Sequence, residues 1–293
     1  MEPISLRGKT AVITGATSGV GLATVQTMLT AGARIIAVGR NAARIRQAEE
    51  MIRSEHPDAF IKYLLADLSL QSQVRQLARE VRQILADQGI PYLDILLNNA
   101  GLYSQTRVNT SEGFELTLAT NYLAPFLLTH ELIPLIQTAP EGRILITSSS
   151  SHYGARLNLN RLGKPLIYIG FWAYMVSKLA GVLFTLELNR RLEGTTVRTF
   201  AVDPGLVATD IASKGPKNIS SLFWQRHSSK GVAPEVPAQV MLFMAGSPIP
   251  RESKDIYWRD FRPKAPSRQA LDAEMARGLW RKSLHLCGLD ADA

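Results

Sequence analysis

Short apolar runs alternate with longer amphipathic stretches along most of the chain. The runs are rich in aliphatic and β-branched residues, and they lack the polar alternation of a strand with one solvated face. They cover residues 9–14, 34–38, 60–66, 93–97, 143–147 and 197–202, with a weaker run at 255–258. This pattern predicts short strands that are buried on both faces of a sheet.

Between the runs, apolar residues recur at helical spacing. The predicted helices cover residues 22–30, 42–54, 70–87, 112–137, 172–192, 236–245 and 270–286. Strands that alternate with helices require crossover connections, which favour one doubly wound parallel sheet of about seven strands with helices on both faces. We predict a single α/β domain over residues 1–293, in which residues 211–270 form a substrate lid and a C-terminal extension.

The composition fits a globular protein with a large core, since 46% of the 293 residues are hydrophobic. No run approaches the roughly 18 consecutive apolar residues of a membrane span, and the first residues do not resemble a signal peptide. The single cysteine, Cys287, excludes an internal disulfide, and the five histidines show no metal-ligand spacing. We therefore expect a soluble, cytoplasmic protein without a metal site.

The net charge of +8 is concentrated toward the C-terminus, where residues 214–293 hold 13 basic and 8 acidic residues. A basic surface suits an anionic cofactor or the peripheral contact of an acidic membrane. No aromatic-studded basic stripe accompanies the charge, so we expect no nucleic-acid partner. An ordinary solvated basic surface is the simplest explanation.

A glycine-rich loop joins the first predicted strand to the first predicted helix. Glycines let the backbone approach a pyrophosphate closely, and the N–H groups at the start of the helix bind it. The order of strand, loop and helix therefore predicts a dinucleotide site and a Rossmann-type sheet. The predicted contacts are Gly15, Thr17, Ser18, Gly19, Val20 and Gly21.

The second strand ends at Gly39-Arg40-Asn41, where an acid would bind the adenosine ribose of NAD(H). Arg40 replaces that acid, and a basic residue there accommodates a 2′-phosphate, which favours NADP(H) over NAD(H). Alternatively, Arg40 is a solvent-facing residue in a turn. Asp67 and Leu68 follow the third strand, where a carboxylate could accept a hydrogen bond from the adenine amino group.

Tyr174 and Lys178 stand four residues apart at the start of a long helical pattern, so they share one helix face. A free phenol titrates at about 10, and a fixed ammonium nearby favours its ionised form. The pair would make the tyrosine a useful acid or base at neutral pH. The same spacing also occurs by chance on helix surfaces, so the pair alone does not establish catalysis.

Two further polar positions interrupt apolar segments. Asn121 lies within an apolar helical stretch, four residues before Pro125, which predicts a local break in the helix and a backbone carbonyl that is free to bind water. Alternatively, Asn121 is a polar helix residue whose side chain is satisfied by a neighbour.

The serines at 148–151 follow a strand without the Gly-x-Ser-x-Gly pattern of a hydrolase nucleophile. A serine hydroxyl here could instead polarise a substrate carbonyl.

Taken together, these motifs resemble the short-chain dehydrogenase/reductase family. They occur in the family's order over residues 8–210: Thr14-Gly15-x-x-x-Gly19-x-Gly21, Asn98-Asn99-Ala100-Gly101, Asn121, Ser148-Ser149, Tyr174-x-x-Ser177-Lys178 and Pro204-Gly205. Gly39-Arg40, the long insert at 151–172 and the tail at 276–289 resemble the family's retinol-dehydrogenase-like branch. Two features depart from it: the N-terminal hydrophobic anchor of the membrane-bound relatives is missing, and residues 213–230 match no family pattern.

The resemblance implies NADP(H)-dependent oxidation or reduction of a lipophilic alcohol or carbonyl. It implies that Tyr174 is the acid/base and that Lys178 lowers its pKa and binds the nicotinamide ribose. Ser149, or alternatively Ser148, would orient the substrate oxygen, and Asn121 would hold a water that links Lys178 to solvent. The further cofactor contacts implied are Asn98, Asn99, Ala100, Gly101, Pro204, Gly205, Val207 and Thr209.

Other interpretations remain. The chain could be a catalytically silent NADP(H)-binding regulator, or an enzyme similar to protochlorophyllide reductase, for which we would expect an active-site cysteine in addition to Cys287. Residues 213–229 are polar with aromatic interruptions, which suits a lid over a lipophilic ligand. Phe126, Leu183 and Leu186 suggest a helical homodimer interface, although buried core residues would give the same pattern.

Overall fold

The computed structural model describes residues 3–207 and 231–290, so the predicted contact Thr209 and the lid segment at 211–230 lie outside the described residues. The described strands form one sheet in the order β3-β2-β1-β4-β5-β6-β7-β8. They are β1 Thr10–Thr14, β2 Arg34–Gly39, β3 Ile61–Leu65, β4 Ile95–Asn98, β5 Arg143–Thr147, β6 Arg198–Asp203, β7 Tyr257–Arg259 and β8 Arg262–Pro263.

Every neighbouring pair from β3 to β7 is parallel, and β8 pairs antiparallel with β7. The doubly wound α/β fold predicted from the alternating pattern is therefore confirmed. The sheet has one strand more than the predicted seven, because a strand of two residues leaves no periodic signal in the sequence.

Helices cover both faces of the sheet. They are α1 Gly19–Thr30, α2 Ala42–Glu55, α3 Gln71–Asp87, α4 Leu116–Leu118, α5 Ala124–Gln137, α6 Gly170–Arg191, α7 Glu235–Gly246, α8 Pro248–Glu252 and α9 Ala273–Leu286. Successive strand residues enter opposite cores: Ala11 and Ile13 pack with α1 and α7, whereas Val12 packs with α3, α5 and α6. Each strand is thus buried on both sides, as its unbroken apolar sequence requires.

The helical segment around Asn121 differs from the predicted helix at 112–137. The Glu115 carboxylate accepts hydrogen bonds from the Thr117 and Leu118 N–H groups at 2.9 and 2.8 Å, so α4 begins there. A π-helical turn, Ala119–Leu123, contains Asn121 and leads into α5. The predicted break is confirmed, whereas the predicted start at residue 112 is wrong because Glu115 caps the first turn.

Among the described helices, only α6 has the length and apolar composition to cross a membrane. In this fold, 67% of its apolar window is buried. It begins at Gly170, two residues before the predicted start, and it is the helix that carries Tyr174 and Lys178.

The C-terminal helix α9 packs across α5 and α6. The Trp280 ring lies 5.1 Å from the Phe126 ring and 5.9 Å from the Phe184 ring, measured between centroids. Phe126 and Leu183 are 1% and 0% exposed. The prediction that they face outward is therefore wrong: the chain's own last helix covers them, and they are core residues.

Candidate active site

A cavity of about 900 Å³ lies at the carboxyl ends of the central parallel strands, where ligands bind in open α/β sheets. Most of the residues predicted to bind cofactor or substrate meet in its wall. These are Gly15, Thr17, Ser18, Gly19, Val20, Gly21, Arg40, Asn41, Asp67, Leu68, Asn99, Ala100, Gly101, Ser149, Tyr174, Lys178, Pro204, Gly205 and Val207.

Asn98 does not line the cavity, although its neighbour Asn99 does. Its side chain is buried, and Nδ2 donates a hydrogen bond to Thr129 Oγ1 of α5 at 3.1 Å. Side chains alternate between the faces of a strand, so adjacent asparagines at the end of β4 point in different directions. The side chain of Asn98 therefore joins the sheet to a helix, and the cofactor contact at this residue stays a prediction.

The glycine turn at one end of the cavity depends on the absence of side chains. Gly15 has φ +67°, and a Cβ on Gly21 would lie 2.2 Å from the Gly15 carbonyl oxygen. Thr14 Oγ1 accepts hydrogen bonds from the Asn99 and Ala100 N–H groups, both at 3.0 Å, and ties the turn to the end of β4. The turn can hold a phosphate close to its backbone only with glycine at these positions.

Two exposed arginines, Arg40 and Arg44, line the cavity beyond this turn. Asn41 Oδ1 accepts a hydrogen bond from the Arg44 N–H at 3.0 Å and caps α2. Sequence analysis missed Arg44. The available signal was Asn41, because asparagine is a favoured N-cap residue and Arg44 lies in the first turn of the helix that it caps. Guanidinium groups here would suit a phosphate, which they bind through charge-assisted hydrogen bonds.

At the other end of the cavity, Tyr174 and Ser149 lie in the same wall, and the Ser149 hydroxyl is near enough to lower the pKa of the phenol. Burial raises the pKa of Tyr174 to about 12; the Ser149 hydroxyl lowers it and the Asp203 carboxylate raises it further. The Ser148 hydroxyl is buried and has no hydrogen-bond partner among the described residues. Of the two candidate serines, Ser149 is thus the one that contacts the phenol.

Lys178 lies beside Tyr174, with Nζ 5.6 Å from the centre of the phenol ring. Its ammonium donates a hydrogen bond to the Thr147 carbonyl at 2.8 Å. Burial lowers the pKa of Lys178 to about 8, and the Asp203 carboxylate opposes this shift. The predicted lowering of the Tyr174 pKa by Lys178 is wrong for this structure, because burial of the phenol dominates and the pKa rises.

Comparison with known proteins shows the family of the chain. The family model for short chain dehydrogenase matches residues 9–219. Retinol dehydrogenase 14 from Homo sapiens is 33% identical over 98% of this chain and 89% of its own length. The chain belongs to the short chain dehydrogenase family.

Solved structures also share the fold of this short chain dehydrogenase. An uncharacterized protein from Mycobacterium paratuberculosis is 29% identical, with a TM-score of 0.76 over 99% of this chain and 97% of that chain. A short chain dehydrogenase from Escherichia coli CFT073 complexed with NADPH is 24% identical, with a TM-score of 0.69 over 89% of this chain and 100% of that chain. The family is one of oxidoreductases that use nicotinamide cofactors.

Asn121 of this short chain dehydrogenase supports the site from behind the cavity wall. Its Oδ1 accepts from the Leu102 N–H and its Nδ2 donates to the Leu102 carbonyl, both at 2.9 Å, and Nδ2 also donates to Ser177 Oγ at 3.1 Å. The alternative interpretation, a side chain satisfied by its neighbours, is therefore confirmed. A water bound at the Asn121 carbonyl stays a prediction.

Asp203, at the end of β6, is a buried carboxylate that sequence analysis did not assign to the site. Its Oδ1 accepts from the Gly205 N–H at 2.9 Å and its Oδ2 from the Tyr257 hydroxyl at 2.8 Å. Arg259 Nη1 lies 3.8 Å from Oδ2. The carboxylate favours the charged form of Lys178 and the neutral form of Tyr174. The available signal in the sequence was an acidic residue, Asp203, directly after the apolar run at 197–202.

His152 connects Ser149 to the C-terminal part of the chain. The Ser267 N–H donates to His152 Nε2 at 3.2 Å, which makes Nε2 an acceptor and places the proton on Nδ1. Nδ1 then donates to the Ser149 carbonyl at 2.8 Å. Burial lowers the pKa of His152, so the ring is neutral at pH 7. Sequence analysis missed this residue.

Proposed function

We propose that this chain is an NADP(H)-dependent oxidoreductase that transfers a hydride between the nicotinamide and a lipophilic alcohol or carbonyl. The observation that carries the proposal is that Ser149, Tyr174 and Lys178 lie together in the wall of a cavity whose other end is the glycine turn. The family assignment supports the reaction class. The specific cofactor and substrate are inferred from the cavity wall.

The residues of the wall fit a dinucleotide cofactor, because the glycine turn leaves room that a Cβ would fill. The turn would hold the pyrophosphate and Lys178 the nicotinamide ribose. Arg40, which follows β2 in place of an acid, supports NADP(H) over NAD(H), and Arg44 adds a second cation. The bound nicotinamide would supply or accept the hydride, and the chain supplies positioning and the proton.

In the reducing direction, Tyr174 would donate its proton to the substrate oxygen while Ser149 donates a hydrogen bond to the same atom. With a pKa of about 12, the phenol of the free protein is protonated at neutral pH. This protonation state supports the role of acid and hence carbonyl reduction. The ammonium of Lys178 is held by its hydrogen bond to the Thr147 carbonyl. It would bind the nicotinamide ribose beside the phenol while the proton is transferred.

A lipophilic substrate is supported by the apolar and aromatic residues of the cavity wall near Tyr174, namely Tyr103, Phe171 and Leu206. The relative named retinol dehydrogenase 14 suggests a retinol- or retinal-like compound as the substrate. A long-chain aldehyde or a steroid would suit the same lipophilic wall. A protochlorophyllide-reductase-like enzyme would need a cysteine in its site, but the single cysteine of this chain, Cys287, is buried in the core. We further infer a cytoplasmic location, which a single free cysteine fits.

The test is a screen of NADPH and NADH oxidation with retinal, long-chain aldehydes, steroid ketones and quinones. We expect turnover of a lipophilic carbonyl with NADPH. The Arg40→Ala/Arg44→Ala variant should lose about tenfold or more in kcat/KM for NADPH, because charged hydrogen bonds to a phosphate are removed, and little for NADH. A preference for NADH in the wild type would contradict the cofactor assignment. If none of the carbonyl compounds is reduced, the proposed carbonyl reduction is wrong.

A further inference from the structure

A run of apolar side chains faces solvent in the segment that leads into α6. Leu166, Ile167 and Ile169 are 81%, 79% and 60% exposed, and Phe171 and Trp172 are each 43% exposed. Single exposed apolar residues are ordinary, but a contiguous group of this kind marks a surface that binds something. We call residues 166–172 the apolar patch.

The backbone under the apolar patch is anchored. The Tyr168 hydroxyl donates hydrogen bonds to the Ser104 carbonyl at 3.2 Å and to Glu115 Oε1 at 3.0 Å. A Cβ on Gly170 would lie 2.2 Å from the same Ser104 carbonyl, so the two segments pack closely. Because Tyr168 and Gly170 turn inward, the residues beside them in the sequence turn outward. The exposure is therefore a consequence of specific contacts.

The exposed charged residues of the segments that form the apolar patch are basic, whereas the Glu115 carboxylate beneath it is buried. Residues 151–173 contain Arg156, Arg161 and Lys164 and no acidic residue, and all three side chains are exposed. Arg107, also exposed, lies in the segment that Tyr168 and Gly170 contact. Apolar side chains with a basic rim match a bilayer that carries anionic headgroups. Two copies of this surface would bring like charges together, which argues against self-association.

We propose that the apolar patch is a docking surface for an anionic lipid bilayer. Leu166, Ile167 and Trp172 would enter the boundary between headgroups and acyl chains, while Lys164 and Arg107 would face the headgroup phosphates. Phe171 belongs to both the apolar patch and the cavity wall, so docking would bring the cavity next to the lipid. Uptake of a lipophilic substrate from the bilayer rests on the proposed function; docking does not.

Co-sedimentation of the full chain with phosphatidylcholine vesicles, with and without 30 mol% phosphatidylserine, tests the proposal. We expect binding to the anionic vesicles that weakens with salt. The Leu166→Ser/Ile167→Ser variant should bind at least about tenfold more weakly, since two large apolar side chains no longer leave water. Ile249→Ser, which removes an equally apolar side chain that is 56% exposed elsewhere, should bind like the wild type.

Two controls make the outcomes decisive. Thermal unfolding should show that both serine variants are folded, because their targets are exposed. The Tyr174→Phe variant should bind vesicles like the wild type, which separates docking from catalysis. Absence of wild-type binding to anionic vesicles, or equal binding by Leu166→Ser/Ile167→Ser, would overturn the proposal. So would a dimer in sedimentation velocity that the same double substitution dissociates, because a second copy would then cover the apolar patch.

Discussion

The two ends of the cavity are built by different means. At the glycine turn, the shape comes from the backbone: Gly15 has φ +67°, Gly21 packs against its carbonyl, and Thr14 fixes the turn with neutral hydrogen bonds. At the tyrosine end, buried ionisable groups lie in the wall, at Tyr174 and Lys178, or behind it, at Asp203. Asp203 and Lys178 are 1% and 5% exposed, and the pKa of Lys178 is lowered by burial.

The difference predicts different consequences of mutation. A turn built by close backbone approach fails when a side chain is added, and the loss should appear in cofactor binding. The buried charge of Lys178 is unfavourable for folding, so its replacement by an apolar side chain of similar size should stabilise the protein and harm the reaction. At the tyrosine end, the residue needed for the reaction lowers the free energy of unfolding, whereas the residues of the glycine turn do not.

The largest expected effect is at the glycine turn. Gly21→Ala places a Cβ 2.2 Å from the Gly15 carbonyl, which only a shift of the backbone can relieve. NADPH affinity, measured by fluorescence titration, should fall about 100-fold, equal to roughly 3 kcal/mol. Gly181→Ala in α6 is the matched control, since its Cβ would lie at an ordinary 3.4 Å from Ile146. Normal NADPH binding by Gly21→Ala would refute the account of this end.

The second prediction concerns Lys178. Its pKa is about 8 in the folded protein against 10.5 ordinarily, so the unfolded chain binds more protons between these pH values. The free energy of unfolding contributed by this residue should therefore rise by about 3 kcal/mol from pH 8 to pH 10.5. Below pH 8 the full cost of the buried charge is present.

Urea unfolding of the wild type and Lys178→Met at pH 7.5 and pH 10 measures this contribution. The advantage of the Met variant should be largest at pH 7.5 and shrink by about 2 kcal/mol or more at pH 10, while its turnover falls at both. Comparison of the two proteins cancels the opposite contribution of Tyr174, whose raised pKa makes stability fall above pH 10. A difference independent of pH would show that the lysine is not desolvated.

The smallest expected effect is at His152, which contacts Ser149 only through the Ser149 backbone. His152→Leu removes the side-chain donor to the Ser149 carbonyl and leaves only the His152 N–H at 3.1 Å, so kcat should fall about tenfold, as expected for one buried hydrogen bond. His152→Asn, whose amide can replace the Nδ1 donor, should recover much of kcat. NADPH affinity should be unchanged in both variants. A joint loss of kcat and NADPH affinity would indicate general damage to the fold.

Local features of the sequence predicted the glycine turn well, because strand, loop and helix are adjacent in the chain. The positions of Tyr174 and Lys178 followed from helical spacing for the same reason. That Asn99 lines the cavity and Asn98 does not could not be predicted, because it depends on the direction that each side chain takes at the end of β4. No periodicity signals the Ser267–His152 hydrogen bond, which joins residues 115 positions apart.

The direction of the Tyr174 pKa shift also could not be predicted from the sequence. Spacing placed the lysine on the same helix face, and that part is confirmed by the 5.6 Å distance from Nζ to the ring centre. Burial of the phenol and the nearness of Asp203 depend on how β6 and α6 pack, which no local pattern records. The apolar run at 166–172 was visible in the sequence, but its exposure required the contacts of Tyr168 and Gly170.

The most direct test of the central claim is the turnover of Tyr174→Phe at saturating NADPH with the best carbonyl from the screen. If Tyr174 supplies the proton, kcat should fall by about 1,000-fold or more while the Kd for NADPH stays at the wild-type value, because the ring is retained and only the hydroxyl is lost. Turnover comparable to that of the wild type, with NADPH bound, would contradict the assignment of Tyr174 as the acid.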